Sequence, residues 1–327
     1  MSEPNDYWSA MERLPIALII DDPMPCINPL YYFHLQVSKI AEPAHERTIP
    51  VSFLEQFIEV VESHGVRGDF SVIPYPAGLG SIAEGLEGFD DAELDQWLGL
   101  VRDHLPENFD IHSEILTHTL ALDLETKKLR DISEHDWMGE QGEEILTEYF
   151  AESMSILKDV DLANHGITQP CYFKGDEDAY AKAILNAEKR VNGRSRTHYF
   201  LDVCVSQKRP LPYCRVADGG EFVVSIPSGT GDGFWPANNG STDVDALADF
   251  YLTSDGQGGR LRELADWQGP IIILTHWQSL YGNGSQAGLN GLAELFRRID
   301  QHLDGVEWMK ISEISDLTID AHRGSRT

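Results

Sequence analysis

Short apolar runs alternate with amphipathic stretches along the whole chain, and this alternation limits the fold more than any other feature. The run 16–20 (IALII) stops abruptly at Asp21-Asp22-Pro23. In 51–63, Phe53, Leu54, Phe57, Ile58 and Val61 follow i, i+3, i+4 spacing. That spacing predicts a helix with Ser52 as N-cap and Gly65 as its stop. The next run, 69–73, reads as a strand halted by Pro74 and Pro76. Further strands are predicted at 109–113, 169–173, 199–205, 222–226, 271–274 and 306–309. Helices are predicted at 90–104, 142–158, 178–190, 244–252 and 289–303.

Strands that alternate with helices imply parallel βαβ units. The reading is an α/β chain, a distorted (β/α) barrel with about seven parallel strands, formed as one domain over 1–327. The long segment 24–50 is expected to cover part of the barrel mouth. Residues 229–241 are the most linker-like stretch, but Phe234 and Trp235 within it favour a working loop over a domain boundary.

Charge excludes several function classes. The 327 residues include 54 Asp and Glu against 25 Lys and Arg, a formal charge of −29. Phosphate binding needs clustered Lys and Arg, so neither nucleic acid nor an anionic membrane surface is an expected partner. No apolar run approaches the ~20 residues of a membrane span. The opening MSEPNDYWSAMERLP has no basic n-region and no apolar h-region, which predicts no signal peptide and a cytoplasmic address. Cys26, Cys171, Cys204 and Cys214 show no CxxC spacing, so neither a disulfide framework nor a cysteine zinc site is expected. His45, His64 and His135 read as solvated surface residues, and the final AHRGSRT as a frayed tail.

In β/α barrels the functional residues gather at the C-terminal ends of the strands. Asp21 and Asp22 end the first strand, and two adjacent carboxylates there suit a general base beside a metal ligand. After the strand at 109–113 come His112, Glu114 and His118. Glu114 and His118 are four apart, so one helical turn would place them on one face. His112 and His118 would converge instead if the chain bends between them. Carboxylate with imidazole suits a divalent metal such as Zn²⁺. His276 leaves an all-apolar strand and is a candidate general acid, because its pKa lies near neutrality. Trp235, Trp277 and Tyr281 are aromatic candidates for lining a saccharide site.

These constellations, in this order, resemble the polysaccharide deacetylase family (NodB-homology, carbohydrate esterase 4), whose parent superfamily has distorted β/α barrels. LIIDDP resembles its first motif, GVRGDFSVIPYP its second strand and FDIHSEILTHT its His-rich motif. IIILTHWQSL resembles its late Leu-x-His motif, and VEWMKISEI its closing strand and helix. The resemblance implies Asp21 as catalytic base, Asp22 and His118 as metal ligands and His276 as general acid. Its His-rich motif carries two histidines four apart. Here Glu114 stands at the earlier position, leaving Glu114 or His112 as third ligand. QPCYFKGDED replaces the family's Arg-Pro motif, with Lys174, Asp176 and Asp178 as its polar residues. The family's Asp-Trp motif has no evident counterpart, although Asp202 ends a strand-like run. The implied activity is metal-dependent removal of N-acetyl or similar acyl groups from a saccharide. The expected cytoplasmic address favours a soluble saccharide or a surface-polysaccharide precursor over bulk cell-wall polymer. The alternatives are a glycosidase or other C–N hydrolase on the same scaffold, or a saccharide-binding or scaffold protein without catalysis.

Overall fold

A computed structural model describes residues 7–41 and 43–324; the first six residues of the opening segment, Glu42 and the last three of the tail lie outside them. The strands are β1 (Leu14–Asp21), β2 (Gly68–Val72), β3 (Phe109–Ser113), β4 (Leu120–Asp123), β5 (Lys128–Ser133) and β6 (Asn164–Thr168), then β7 (Arg196–Phe200), β8 (Tyr213–Asp218), β9 (Glu221–Ser225), β10 (Ile271–His276) and β11 (Val306–Trp308). The helices are α1 (Pro29–Gln36), α2 (Val51–Ser63), α3 (Asp91–His104), α4 (Glu134–Gly139), α5 (Glu143–Asp159) and α6 (Glu177–Val191), then α7 (Val244–Asp249), α8 (Arg260–Asp266), α9 (Trp277–Tyr281), α10 (Ala287–His302) and α11 (Ile311–Gly324).

The main sheet runs β10-β1-β2-β3-β6-β7-β9-β8, with β11 beside β1. Every pair in it is parallel except β8–β9. β1 is apolar and buried on both faces, as a central parallel strand must be. Two apolar layers result. Ile16, Leu18 and Ile20 face the helices, whereas Ala17 and Ile19 face inward with Ile272, Leu274, Phe200 and Val224. Ile311, Ile314 and Ile319 of α11 pack into this inner layer.

The predicted barrel is not closed: β10 and β8 end the sheet, and no ladder joins them among the described residues. The cause is β8, which folds back antiparallel and fills the edge of β9 that closure would need. The turn after β9 reaches β10 instead. Gly229 N donates to Ile272 O at 3.2 Å, and Leu274 N donates to Thr230 Oγ1 at 2.9 Å.

Other departures are local. The strand expected at 169–173 lies earlier, at Asn164–Thr168, where a polar NHGIT sequence concealed it. Ser52 does not cap α2: Pro50 is the N-cap residue, without a side-chain cap bond. The β4–β5 hairpin and β8 carry no strong apolar alternation and were not anticipated. His135 is buried against Tyr172, rather than solvated. The tail is helical through Gly324. No helix among the described residues is long and apolar enough to cross a membrane.

Candidate active site

The β1–β10 register sets Asp21 opposite His276, so the two expected proton-transfer residues leave neighbouring strands at one level. Asp22 follows with φ 68°, a left-handed conformation that L-residues rarely adopt. That turn brings both adjacent carboxylates to one pocket. The loop after β3 uses the same device. Glu114 and His118 do not sit on a helical turn; Ile115 (φ 37°) and His118 (φ 62°) bend the chain between them. Backbone strain of this kind concentrates at functional sites.

Glu134, at the start of α4, holds the bend. It accepts from Thr117 N at 2.9 Å, His118 N at 2.7 Å and Tyr149 Oη at 2.7 Å. One ligand atom each from Asp22, Glu114 and His118 then lies within 4.8 Å of the other two. His118 Nε2 contacts Asp22 Oδ1 and lies 3.7 Å from Glu114 Oε1. Asp22 N donates to Glu114, and Gln278 Nε2 donates to Asp22 Oδ2.

These groups are 1–8 % exposed, so their charges are poorly solvated. Burial pushes the Glu114 carboxyl well above its ordinary range, and the charges of Asp22 and Asp21 push it further. Burial also raises Asp22, but His118, His276 and its hydrogen bonds outweigh this and hold it low. Asp21 is raised well above its ordinary value, chiefly by burial against the pull of His276. Glu114 Oε1 has no hydrogen-bond partner. Crowded carboxylates, an orphaned oxygen and a facing imidazole nitrogen fit a divalent cation.

His276 has a partner that the sequence did not reveal. Its Nδ1 lies 2.8 Å from Asp232 Oδ2, while Asp232 Oδ1 accepts from Thr275 Oγ1 at 3.1 Å and Phe234 N at 2.9 Å. Burial alone would lower the imidazolium pKa. The Asp232 hydrogen bond and the charges of Asp22, Asp232 and Asp21 overcome it and raise the pKa to about 10. Nε2 is left for the pocket. Asp232 lies in GTGDGFWP, three residues before Trp235, and this acid within the working loop was the available signal.

Asp21, Asp22, Glu114, His118, His276 and Trp235 line one cavity of about 210 Å³. Trp235 stands at its rim, 38 % exposed, with its ring 5.3 Å from His276. Trp277 is not brought to the cavity: it is fully buried against Phe53, Phe57 and Phe70. Tyr281 packs on Phe53 and donates to Glu46. His112 points into the sheet interior, with Nδ1 2.6 Å from Asp69 Oδ2 and Nε2 2.8 Å from His198 Nε2. Glu114 therefore joins Asp22 and His118, and His112 does not. Asp176 caps α6, Asp178 pairs with Arg215, and the Lys174 ammonium lies over the Tyr172 ring. Asp202 is half-buried and outside the cavity lining.

No family model and no curated protein matches the sequence. Solved structures match it in fold. A protein assigned as a polysaccharide deacetylase from Mycobacterium smegmatis superposes with a TM-score of 0.56 at 12 % identity, over 96 % of this chain and 93 % of that one. A carbohydrate esterase 4 family pseudoenzyme from Bacillus anthracis gives 0.44 at 10 % identity, over 96 % of this chain and 67 % of that one. An exo-type maltose-forming amylase from Pyrococcus sp. ST04 gives 0.47 at 12 % identity, over 83 % of this chain and 40 % of that one. The chain thus has a polysaccharide deacetylase fold, as the sequence resemblance implied, and the likeness is one of fold.

Proposed function

We propose that this chain is a metal-dependent hydrolase that removes N-acetyl or similar acyl groups from a saccharide. One observation carries the reading: a buried Asp22–Glu114–His118 cluster shares a cavity with a carboxylate, Asp21, and with an Asp232-supported imidazole, His276. Asp22, Glu114 and His118 would hold one divalent cation, for which Zn²⁺ suits the mixed oxygen and nitrogen donors. A cation bound there supplies Lewis-acid polarisation of the acyl carbonyl and lowers the pKa of water.

The rest of the chemistry belongs to the chain. Asp21, buried beside that cluster, takes a proton from the attacking water; its raised pKa makes it a stronger base than an ordinary carboxylate. The water oxygen adds to the acyl carbon, the carbon–nitrogen bond breaks, and His276 Nε2 gives a proton to the departing amine. Asp232 fixes the imidazole orientation through Nδ1 and keeps it protonated near neutral pH. Trp235 at the rim offers a face on which a sugar ring can stack.

Metal analysis and acetate release on a panel of N-acetylated sugars test the proposal. Wild type is expected to hold about one equivalent of metal and to release acetate. Equal and negligible metal in wild type and His118→Ala after Zn²⁺ incubation overturns it. Sugar release without acetate indicates a glycosidase, and sugar binding without turnover a saccharide-binding protein.

A further inference from the structure

The segment between β1 and α2 roofs the cavity. Pro29, Leu30, Phe33 and His34 of α1 line it from above, and the Phe33 ring meets the His118 ring edge-on at 6.4 Å. The roof is fastened on two flanks. On the β9–β10 flank, His45 Nε2 lies 3.3 Å from Asn238 O, Glu46 N donates to Asn283 Oδ1 at 2.7 Å, and Asn283 Nδ2 donates to Ala44 O at 3.1 Å. On the β2–β3 flank, Gln36 Nε2 donates to Ala77 O at 3.0 Å, and Lys39 lies 3.4 Å from Asp131 of the hairpin. Arg47 braces the span, donating to Tyr32 Oη at 2.8 Å and lying 4.8 Å over the Phe89 ring.

The remaining margin follows β6 and β7. There Cys171 and Tyr172 are exposed; Trp235, on the loop after β9, is also exposed at the cavity rim. Access therefore comes from one side, to a cavity of about 210 Å³. That is below the ~300–1,000 Å³ of pockets for drug-sized ligands. An interior unit of a glycan carries chain on both sides and needs a groove open at both ends. A terminal unit needs one opening.

Given the deacylase reading above, we infer that the substrate is a small acylated saccharide or the terminal acylated unit of a longer one, never an interior unit. The roof between its two fastened flanks excludes the second half of a through-running chain.

Oligomers of an N-acetylated aminosugar with defined lengths test this with the metal-loaded protein, products being sequenced by mass spectrometry. Each oligomer is expected to lose one acetyl group, from one end, so acetate plateaus at one per chain whatever the length. Loss of acetyl from interior units overturns the inference. Loosening the roof with Asn283→Ala and Gln36→Ala together is expected to raise interior deacetylation at least tenfold; unchanged end selectivity removes the roof as its cause and also overturns it. An Asp21→Asn variant reads binding without turnover. A hexamer with bulky groups on both ends is expected to bind at least tenfold more weakly than the free hexamer, and equal affinity overturns the inference. Binding without any acetate release overturns the deacylase chemistry and leaves the end-recognition result standing. Neither binding nor release overturns both.

Discussion

The sheet encloses two clusters of histidines and carboxylates, and only one of them gathers its members around a single cavity. At the mouth are Asp21, Asp22, Glu114, His118 and His276. Deeper inside are Asp69, Asp110, His112 and His198, all nearly inaccessible. Six positions separate His112 from His118, yet the two imidazoles have different surroundings. The deep cluster sets its members against one another, His112 lying between Asp69 and His198. Burial holds the Asp69 carboxyl well above its ordinary value and draws His112 down to about 4, so it disfavours charge on both. Asp110 is spent on α11, accepting from Ser312 N at 2.6 Å and Oγ at 3.0 Å. Gly166 makes room for the histidine pair: a Cβ there would sit 2.9 Å from His112 Nε2 and 2.8 Å from His198 O. The mouth cluster instead brings ligand atoms of Asp22, Glu114 and His118 within 4.8 Å of one another at the edge of an open cavity. Residue type does not separate a structural polar cluster from a candidate metal site. Convergence of ligand atoms and access do.

The sharpest way to break this contrast is to exchange losses between the two histidines. His118→Ala is expected to abolish metal retention and to lower acetate release by ~10³-fold or more, the size of several kcal/mol of transition-state stabilisation. His112→Ala is expected to keep metal stoichiometry but to cost about 3 kcal/mol of stability, from a cavity and stranded partners. Metal analysis and denaturant melts of both variants read the difference. Metal loss in a folded His112→Ala protein would merge the two clusters into one.

Asp232→Asn comes next. It leaves the imidazole in place but removes the carboxylate behind it, so the rate is expected to fall about 10²-fold. The pH profile carries the sign. In the proposed mechanism His276 acts while protonated, so activity is expected to fall as pH rises through its pKa, about 10 in the wild type. Asn removes a raising influence while burial persists, so the alkaline limb moves to lower pH. In the same mechanism the rate is expected to rise with pH on the acid side as Asp21 loses its proton, its raised pKa placing that limb above the usual carboxylate range. An alkaline limb that stays in place in Asp232→Asn would dissociate it from His276.

Much of this site was legible because its residues follow strand ends. Asp21-Asp22 after an apolar run and His276 after IIIL were located by that rule, and Glu114 and His118 by their spacing. The mechanism behind the spacing was not legible. A helical turn was expected, whereas positive φ at Ile115 and His118 does the folding, and the sequence contains no Gly there to announce it. Asp232 and Glu134 were missed because they act through hydrogen bonds across long sequence separations. Trp277 was assigned to the cavity because it follows His276, but side chains at successive positions point in different directions, and its ring enters the helix-facing core. The alternation of strands and helices conveyed the parallel sheet. It carried no sign that β8 would take the edge of β9 and leave the barrel open.

Glu134 offers a smaller perturbation of the mouth cluster. It touches no reacting group in the proposed mechanism; it positions His118 through the backbone N–H groups of Thr117 and His118. Partners that orient a metal ligand are typically worth about 10–100-fold in metal affinity. Glu134→Gln keeps the side-chain shape but one fewer acceptor oxygen, so metal affinity is expected to weaken about tenfold. Saturating metal should restore the rate, and a titration of rate against free metal reads this directly. A rate that excess metal does not rescue would assign Glu134 a role other than positioning.

The smallest effect is expected at Trp235, and it separates rim from core. Its ring is 38 % exposed beside His276, so truncation opens no cavity in the packed layers. Unfolding free energy should stay within about 0.5 kcal/mol of wild type. Loss of an aromatic stacking face is worth about 0.5–1.5 kcal/mol, a rise of roughly two- to tenfold in KM. kcat should change little, because the imidazole keeps its Asp232 partner on the opposite nitrogen. A fall in kcat at constant KM would instead mean that the ring orients His276 itself, moving Trp235 from the proposed sugar-stacking role into the proposed proton-transfer group.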